Sequence, residues 1–468
     1  KVSIMDRPNI LLVTTDQQRW DTIRSGGNRH IHTPNLDRLA ARGTLFHHAY
    51  CNSPVCMPSR QSFMSGQYPW ALNLTANGQE MPEDVPCIQH LLGRAGYHTA
   101  QIGKLHFTNI QPRDTGEVHP RYGFDTMLLA EHNAPGFRDL YDHWAEARKP
   151  GSSERIRDLG DTAYWGAEKH QHPYEQFQGS MPLLFQEDED LTLTAMVCDE
   201  ACTFLRQRRA GNWFCHVGIF APHNPFNPPK RFADMYDPDQ LPAPHMNETD
   251  RECTDLTDDD WRRSKAHYYG MVSELDDKVG RLLDTLDQTG QRDDTLIVFT
   301  SDHGDNCGDH GRGGKGAPGW DSCLRVPLIV SWTGRIREGE QRNELVELVD
   351  LVPTILDCCT LEIPPFVQGR SFRTLLEGRD DDRGKNEVFA QIGSPDDAQW
   401  MTLRTASHKL CVGNDGTTVL YDLENDPHEL NNVADDAAYA KVRASMTDRL
   451  VQRLFAARPH VPRFHPYW

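Results

Sequence analysis

Five continuous apolar, β-rich runs constrain this 468-residue chain more than any other feature: residues 9–15 (NILLVTT), 99–102, 213–220 (WFCHVGIF), 295–300 (TLIVFT) and 326–332 (VPLIVSW). A strand with one face in water alternates apolar and polar residues, whereas an unbroken apolar run suits a strand covered on both faces. Helix-like segments separate the runs, at 33–42, 87–95, 193–209, 264–288 and 345–358. Strands alternating with helices predict an α/β fold, a large, mainly parallel sheet flanked by helices on both faces. After the charged stretch GRDDDRGKN at 378–386 the composition shifts. Shorter strand patterns at 387–392, 400–404, 409–412 and 418–421, followed by a helix pattern at 437–456, predict a small C-terminal subdomain with an antiparallel sheet and a closing helix. The expected division is 1–378 and 379–468.

Four of the apolar runs lead into side chains with metal-ligand or anion-binding chemistry: Asp16-Gln17, Lys104-Leu105-His106, Pro222-His223-Asn224-Pro225 and Asp302-His303-Gly304. In a parallel sheet the C-terminal ends of the strands share one edge, where such folds place their sites. Asp16, Gln17, Asp302 and His303 form a divalent-metal set of two carboxylates, an amide oxygen and an imidazole. Oxygen donors allow Ca²⁺ or Mg²⁺, and the imidazole brings in Mn²⁺, Zn²⁺ and Fe²⁺. Lys104 and His106, two apart in an extended segment, point to the same side. Each residue has a plainer reading by itself: His303 as a helix-capping loop residue, His223 as a turn residue between prolines, Lys315 as a solvated loop cation. Their joint placement at strand ends favours a site.

Residues 51–68 read CNSPVCMPSRQSFMSGQY. Pro58 suits the first turn of a helix and Gly66 its end. Cys56 then sits at a helix N-terminus, where unpaired N–H groups stabilise negative charge, and Arg60 lies one turn further on, able to fold back toward it.

Cys56-Met57-Pro58-Ser59-Arg60 resembles the modification signature of type I sulfatases, of the alkaline phosphatase superfamily, in which the Cys is oxidised to formylglycine. The resemblance extends over nearly the whole chain. It includes Pro8-Asn9-Ile10, His32-Thr33-Pro34-Asn35-Leu36-Asp37, Gly103-Lys104-Leu105-His106, Gly314-Lys315-Gly316, Asp309-His310-Gly311 and Arg325-Val326-Pro327-Leu328. It reaches Leu420-Tyr421-Asp422-Leu423 and Asp426-Pro427, while 113–190 and 458–468 lack a match. It implies an alkaline phosphatase-like fold and hydrolysis of a carbohydrate, aryl or small alkyl sulfate. Formylglycine from Cys56 is the implied nucleophile, with Cys56 facing a Ca²⁺, Mn²⁺, Mg²⁺ or Zn²⁺ ion. Catalytic roles fall on Cys56, Arg60, Lys104, His106, His223 and Lys315, and a formylglycine-generating enzyme is an implied partner. The Gln17/His303 pair departs from the commonest sulfatase metal pattern. It is more similar to choline sulfatases and phosphonate monoester hydrolases, so phosphonate monoester or phosphodiester hydrolysis is the alternative. Lys104 and His106 favour a sulfatase, because phosphonate monoester hydrolases tend to place Tyr and Thr there.

Substrate contacts are expected from polar and aromatic residues in loops near the rim: Asn77, His132, Arg157, Trp165, His172 and Trp320. A net charge of −19 gives nothing in favour of a nucleic-acid partner, so none is expected, and it opposes an anionic ester at long range, so the site must reverse the field locally. No run approaches ~18 apolar residues, so no membrane span is expected. The twelve Cys show no CxxC pairs or disulfide spacing, and Cys358-Cys359 and Cys198/Cys202 read as small core residues. With no secretory leader visible in KVSIMDRPNILLV, the expected location is cytoplasmic. The aromatic tail Phe464-His465-Pro466-Tyr467-Trp468 suggests docking on a second subunit of a homo-oligomer.

Overall fold

The structure is a computed structural model that describes residues 7–108, 119–131, 140–156, 180–208, 210–379, 384–393 and 399–458. His132, Arg157, Trp165, His172 and the aromatic tail lie outside the described residues.

The large sheet contains β1 (Asn9–Thr15), β2 (Thr44–Tyr50), β3 (His98–Gly103), β4 (Thr126–Leu129), β5 (Trp213–Gly218), β6 (Thr295–Ser301), β7 (Arg325–Ser331), β8 (Glu340–Arg342) and β9 (Val346–Glu347). Its order is β4-β3-β5-β1-β6-β7-β2-β8, with β9 also on β2. From β4 to β6 every pairing is parallel. β7 runs antiparallel to both β6 and β2, the reversal in a mainly parallel sheet. The reason lies in the connection: residues 302–324 contain only short helical turns and stay at the strand-end rim, so the chain re-enters the sheet from that edge.

Side chains of β1 alternate between two cores. Leu11 and Val13 join the cluster under the helices Leu193–Gln207 and Asp258–Gln288, while Ile10 and Leu12 join the opposite one with Met64, Val352 and Leu356. Burying each such side chain contributes on the order of 1.5–3 kcal/mol, which explains the unbroken apolar runs. β2 breaks the pattern with His47 and His48, where the register on β7 shifts between Phe46 and Ala49; this bulge hides the strand from a periodicity reading.

The helices used below are α1 (Cys56–Ser65), α2 (Asp258–Gln288) and α3 (Ala440–Ala456). α2 begins at Asp258, ahead of the expected start at 264. The earlier start is fixed by a capping box in which Thr257 Oγ1 accepts from Asp260 N at 3.2 Å and Asp260 Oδ2 accepts from Thr257 N at 2.9 Å. Residues 345–350 form β9 and a helical turn, and the expected helix at 345–358 starts only at Leu351.

A second sheet, β10 (Val388–Ile392), β11 (Trp400–Arg404), β12 (His408–Gly413) and β13 (Thr418–Asp422), is antiparallel throughout. α3 covers it through Met446 and Leu450, and Tyr68 and Val349 from the larger part of the chain share that core. Buried charges also join the two sheets: Lys409 Nζ lies 2.5 Å from both Asp321 Oδ1 and Glu429 Oε1. Among the described residues no helix is long and apolar enough to cross a membrane, and all twelve Cys are free thiols.

Candidate active site

The parallel register brings the ends of β1, β3, β5 and β6 side by side, and the chain beyond each carries the reactive groups. Asp302 N donates to Thr15 O (3.1 Å), prolonging the β1–β6 pairing by one residue. Lys104 N donates to Gly218 O (2.8 Å) beside β3 and β5. Glycine is required at 218: a Cβ there would lie 1.9 Å from the Lys104 carbonyl oxygen.

Cys56 occupies the first turn of α1, and Gly66, at φ 71°, ends the helix with its N–H donating to Ser62 O at 2.9 Å. Every residue of α1 is buried. Ser59 Oγ donates to the Asp302 carbonyl (2.5 Å), and Arg60 reaches back beneath Cys56. The guanidinium of Arg60 has no exposed surface; Nε lies 2.7 Å from Asp302 Oδ2, Nη2 3.3 Å from Asp16 Oδ2, and Nη1 donates to Lys104 O at 3.1 Å. Lys104 Nζ lies 2.6 Å from Asp16 Oδ2 and 4.8 Å from the Phe220 ring centroid. Burial pushes the Asp16 carboxyl up, but Lys104, His223, Lys315 and Arg60 together hold it well below the usual carboxylate range.

One ligand atom from each of Asp16, Cys56, Asp302 and His303 lies within 4.8 Å of the others, and all four residues are buried. His303 Nδ1–H donates to the Gly304 carbonyl (2.8 Å), which turns the Nε2 lone pair toward Cys56 Sγ (3.3 Å), Asp302 Oδ1 (3.7 Å) and Asp16 Oδ1 (3.8 Å). Burial lowers its pKa to about 4, so the ring is neutral, as a metal ligand requires. The donors already surround a positive charge: Lys315 Nζ lies 2.7 Å from Cys56 Sγ, 2.9 Å from Gln17 Oε1 and 3.0 Å from His303 Nε2. Burial pushes the Lys315 ammonium down, yet Cys56, Asp16 and Asp302 outweigh it and raise its pKa. Two carboxylates and a neutral imidazole clustered within 4.8 Å, with the Gln17 amide oxygen meeting the same Lys315 ammonium as His303, fit a divalent metal.

For Cys56, burial and the Asp16 carboxylate push the thiol up, but Lys315, Lys104 and a hydrogen bond with His223 bring it below the ordinary value. His223 Nδ1–H donates to Asn224 O (2.8 Å), and burial, then Lys315, lower the ring to about 4. His106, at φ 57°, is buried and held well below the usual imidazole range by burial, Lys104 and Arg60. Its main chain is clamped by Glu131, whose carboxylate accepts the N–H groups of Leu105 and His106 at 3.0 Å.

The structure therefore brings together Asp16, Gln17, Cys56, Arg60, Lys104, His106, His223, Asp302, His303 and Lys315. Of the expected substrate contacts, Asn77 is exposed beside Cys56, its Oδ1 accepting the Met57 N–H at 3.0 Å. Trp320 is not in the cluster. It is 8% exposed, stacked on His310 at 4.1 Å and bonded through Nε1–H to Tyr421 OH (3.1 Å), because it closes the junction with the second sheet. Sequence reasoning missed Glu131, Asn224 and Asp305. The run Asp302-His303-Gly304-Asp305 offered a signal for the last, whereas Glu131 matters only through the β3–β4 pairing.

The sulfatase family model matches residues 8–361, and the C-terminal model of N-sulphoglucosamine sulphohydrolase matches 315–455. An arylsulfatase of Clostridium perfringens is 31% identical, the alignment covering 92% of this chain and 91% of that one. A choline-sulfatase of Rhizobium meliloti is 31% identical over 94% of this chain and 85% of its own length. Among solved structures, a phosphonate monoester hydrolase of Agrobacterium radiobacter superposes with a TM-score of 0.82 at 26% identity, covering 96% of each chain. The match over most of the chain, joined to a buried thiol among lysines, histidines and carboxylates at one sheet edge, places this protein in the sulfatase family, as a sulfuric ester hydrolase.

Proposed function

We propose that this sulfatase hydrolyses sulfate monoesters of a saccharide, an aryl alcohol or a small alkyl alcohol. On this reading a formylglycine-generating enzyme converts Cys56 to formylglycine, and Asp16, Gln17, Asp302 and His303 hold a divalent cation. The supporting observation is the Cys56 side chain itself, at the first turn of α1 and within 2.7 Å of Lys315 and 3.3 Å of His303.

Formylglycine at residue 56 would supply an oxygen nucleophile, and a divalent cation held by Asp16, Gln17, Asp302 and His303 would offset negative charge on the sulfuryl group. The remaining work belongs to the chain. Lys104 and Lys315 are placed to bind the non-bridging oxygens and stabilise their charge in the transition state. His223, fixed through Nδ1 by Asn224, directs its other nitrogen to the reacting centre. An anionic ester against that ring raises its proton affinity, so His223 delivers the proton to the departing alcohol oxygen, with Lys315 as neighbouring donor. His106, neutral and locked by Glu131, is the base that lets residue 56 return to its starting state as sulfate leaves. Arg60 touches none of the reacting atoms; it orients Asp16 and Asp302 and helps to hold the Asp16 carboxyl below the usual range.

A second reading, hydrolysis of phosphonate monoesters, is favoured by the Gln17/His303 pair and by the likeness to the Agrobacterium enzyme. The two separate in one experiment: kcat/KM for an aryl sulfate and the matched aryl phosphonate, with mass spectrometry of the Cys56 peptide from the same preparation. Higher kcat/KM for the sulfate and an aldehyde at residue 56 are expected. Full activity from an unmodified thiol would overturn the nucleophile, and a preference for the phosphonate would establish the second reading.

A further inference from the structure

We infer that Asp305 is a positioning residue for the metal, deciding which end of the Gln17 side chain faces the donor cluster. This rests on the divalent-cation reading proposed above. Gln17 leaves β1 at φ 68°, and its main chain is pinned at both polar groups: N–H donates to Asp302 Oδ1 (3.0 Å) and the carbonyl accepts from Tyr268 OH (2.7 Å). Only its side-chain amide is left to turn over. The two ends of that amide have the same shape and opposite hydrogen-bonding character.

In the structure Nε2–H donates to the Asp305 carboxylate and to Asn224 Oδ1 (3.3 Å), while Oε1 accepts from Lys315 Nζ at 2.9 Å. Asn224 is itself an amide, with a donor end as well as an acceptor end, and its chemistry alone imposes no choice. Asp305 does. It is fully buried, and Oδ1 accepts the Cys307 N–H at 2.6 Å, which fixes the carboxylate within its own loop. A carboxylate offers acceptors only; it selects the NH₂ end of Gln17 and sends the oxygen toward Lys315. Amide oxygen binds a hard divalent cation and an amide NH₂ does not. Asp305 thus makes Gln17 a ligand without being one.

The test uses the chelator-stripped full-length protein and Mn²⁺ alone, followed by calorimetry. Asp305→Asn presents an NH₂ as well as an oxygen to Gln17, leaves only Lys315 to select the oxygen end, and is expected to weaken Mn²⁺ binding about 10–100-fold. Gln17→Glu alone sets a second carboxylate against Asp305 and also weakens binding. In the double variant, Gln17→Glu with Asp305→Asn, the side chain at position 17 has oxygen at both ends and the new amide at position 305 can donate to one of them. Its Mn²⁺ affinity is expected to return to within about threefold of wild type, because the two changes are coupled. A merely structural Asp305 gives no such recovery.

Unchanged affinity in Asp305→Asn, or a double variant as weak as the singles, overturns the inference. Absence of a saturable Mn²⁺ site in the wild type refutes the metal assignment instead. Should Asp305→Asn fail to fold, recovery of folded, Mn²⁺-binding double variant supports the pairing, and no recovery refutes it.

Discussion

Replacing Arg60 tests the electrostatics of the site most directly. Arg60→Met keeps the apolar stem and removes a guanidinium that lies 2.7 Å from Asp302 and 3.3 Å from Asp16 with no exposed surface. Asp16 keeps Lys104 at 2.6 Å, so the loss falls mainly on Asp302, left as a buried carboxylate without its cation. Removing one partner of a buried pair costs about 3–5 kcal/mol. With an unfolding entropy of ~2.1 cal/mol/K per residue, a chain of this length has close to ~1 kcal/mol/K in total, which converts that loss to a fall in Tm of roughly 3–5 °C. The assay is thermal unfolding of the chelator-stripped protein followed by circular dichroism, repeated with saturating Mn²⁺. A divalent cation among the carboxylates supplies part of the missing charge, so the deficit narrows when Mn²⁺ is present. Arg60→Lys keeps the charge but not the fork of contacts and falls between. A stripped Arg60→Met protein melting within about 1 °C of wild type, or a deficit unaffected by Mn²⁺, refutes the reasoning.

Two more outcomes are expected. His223→Ala slows hydrolysis of alkyl sulfates about 10²–10⁴-fold and of aryl sulfates with acidic phenols much less, read as a steeper dependence of rate on leaving-group pKa; equal losses remove His223 as the proton donor. His216, buried in β5 between Gln101 Oε1 (2.6 Å) and Thr14 Oγ1 (2.8 Å), is lowered to about 3 by burial and then by Arg60. Its folded pKa lies below the unfolded one, so its stabilisation is fully present above the unfolded value of about 6.5 and is lost as pH falls toward the folded one. Urea unfolding at pH 5 and 4 therefore gives a slope of stability with pH that is shallower by roughly 1.4 kcal/mol per pH unit in His216→Gln than in wild type. Identical slopes would contradict a neutral His216 in the fold.

Much of the fold was legible because its strands are covered on both sides. Residues 9–15 and 295–300 read as buried strands, and β1 (Asn9–Thr15) and β6 (Thr295–Ser301) follow them almost residue for residue. β2 escaped because two half-buried histidines and a bulge interrupt its apolar run. The reversed direction of β7 escaped because direction is a property of the connection, not of the strand's own residues. The start of α2 was written in Thr257 and Asp260, and apolar periodicity alone put it too late. In the site, the residues following strand ends were found because a parallel sheet must deliver them to one edge. Glu131 was not, since it acts on Leu105 and His106 across the β3–β4 pairing, and the bond from Gln17 to Asn224 joins residues some 200 positions apart.

The sequence by itself determined the kind of chemistry: a cysteine in Cys-x-Pro-Ser-Arg, and carboxylates, lysines and histidines placed just beyond buried strands. It could do so because local pattern decides which strands are buried, and strand ends are where a parallel sheet opens to ligands. Only the tertiary structure decided how these groups act on one another. Lys315 meets Cys56, Gln17 and His303 at 2.7–3.0 Å from a loop some 260 residues after Cys56 and 300 after Gln17. Trp320 turns away into the junction between sheets, and Asp305 takes hold of Gln17. Proton affinity and ligand orientation depend on distances of a few ångströms and on exclusion of water, and both exist only once the chain has closed around the site.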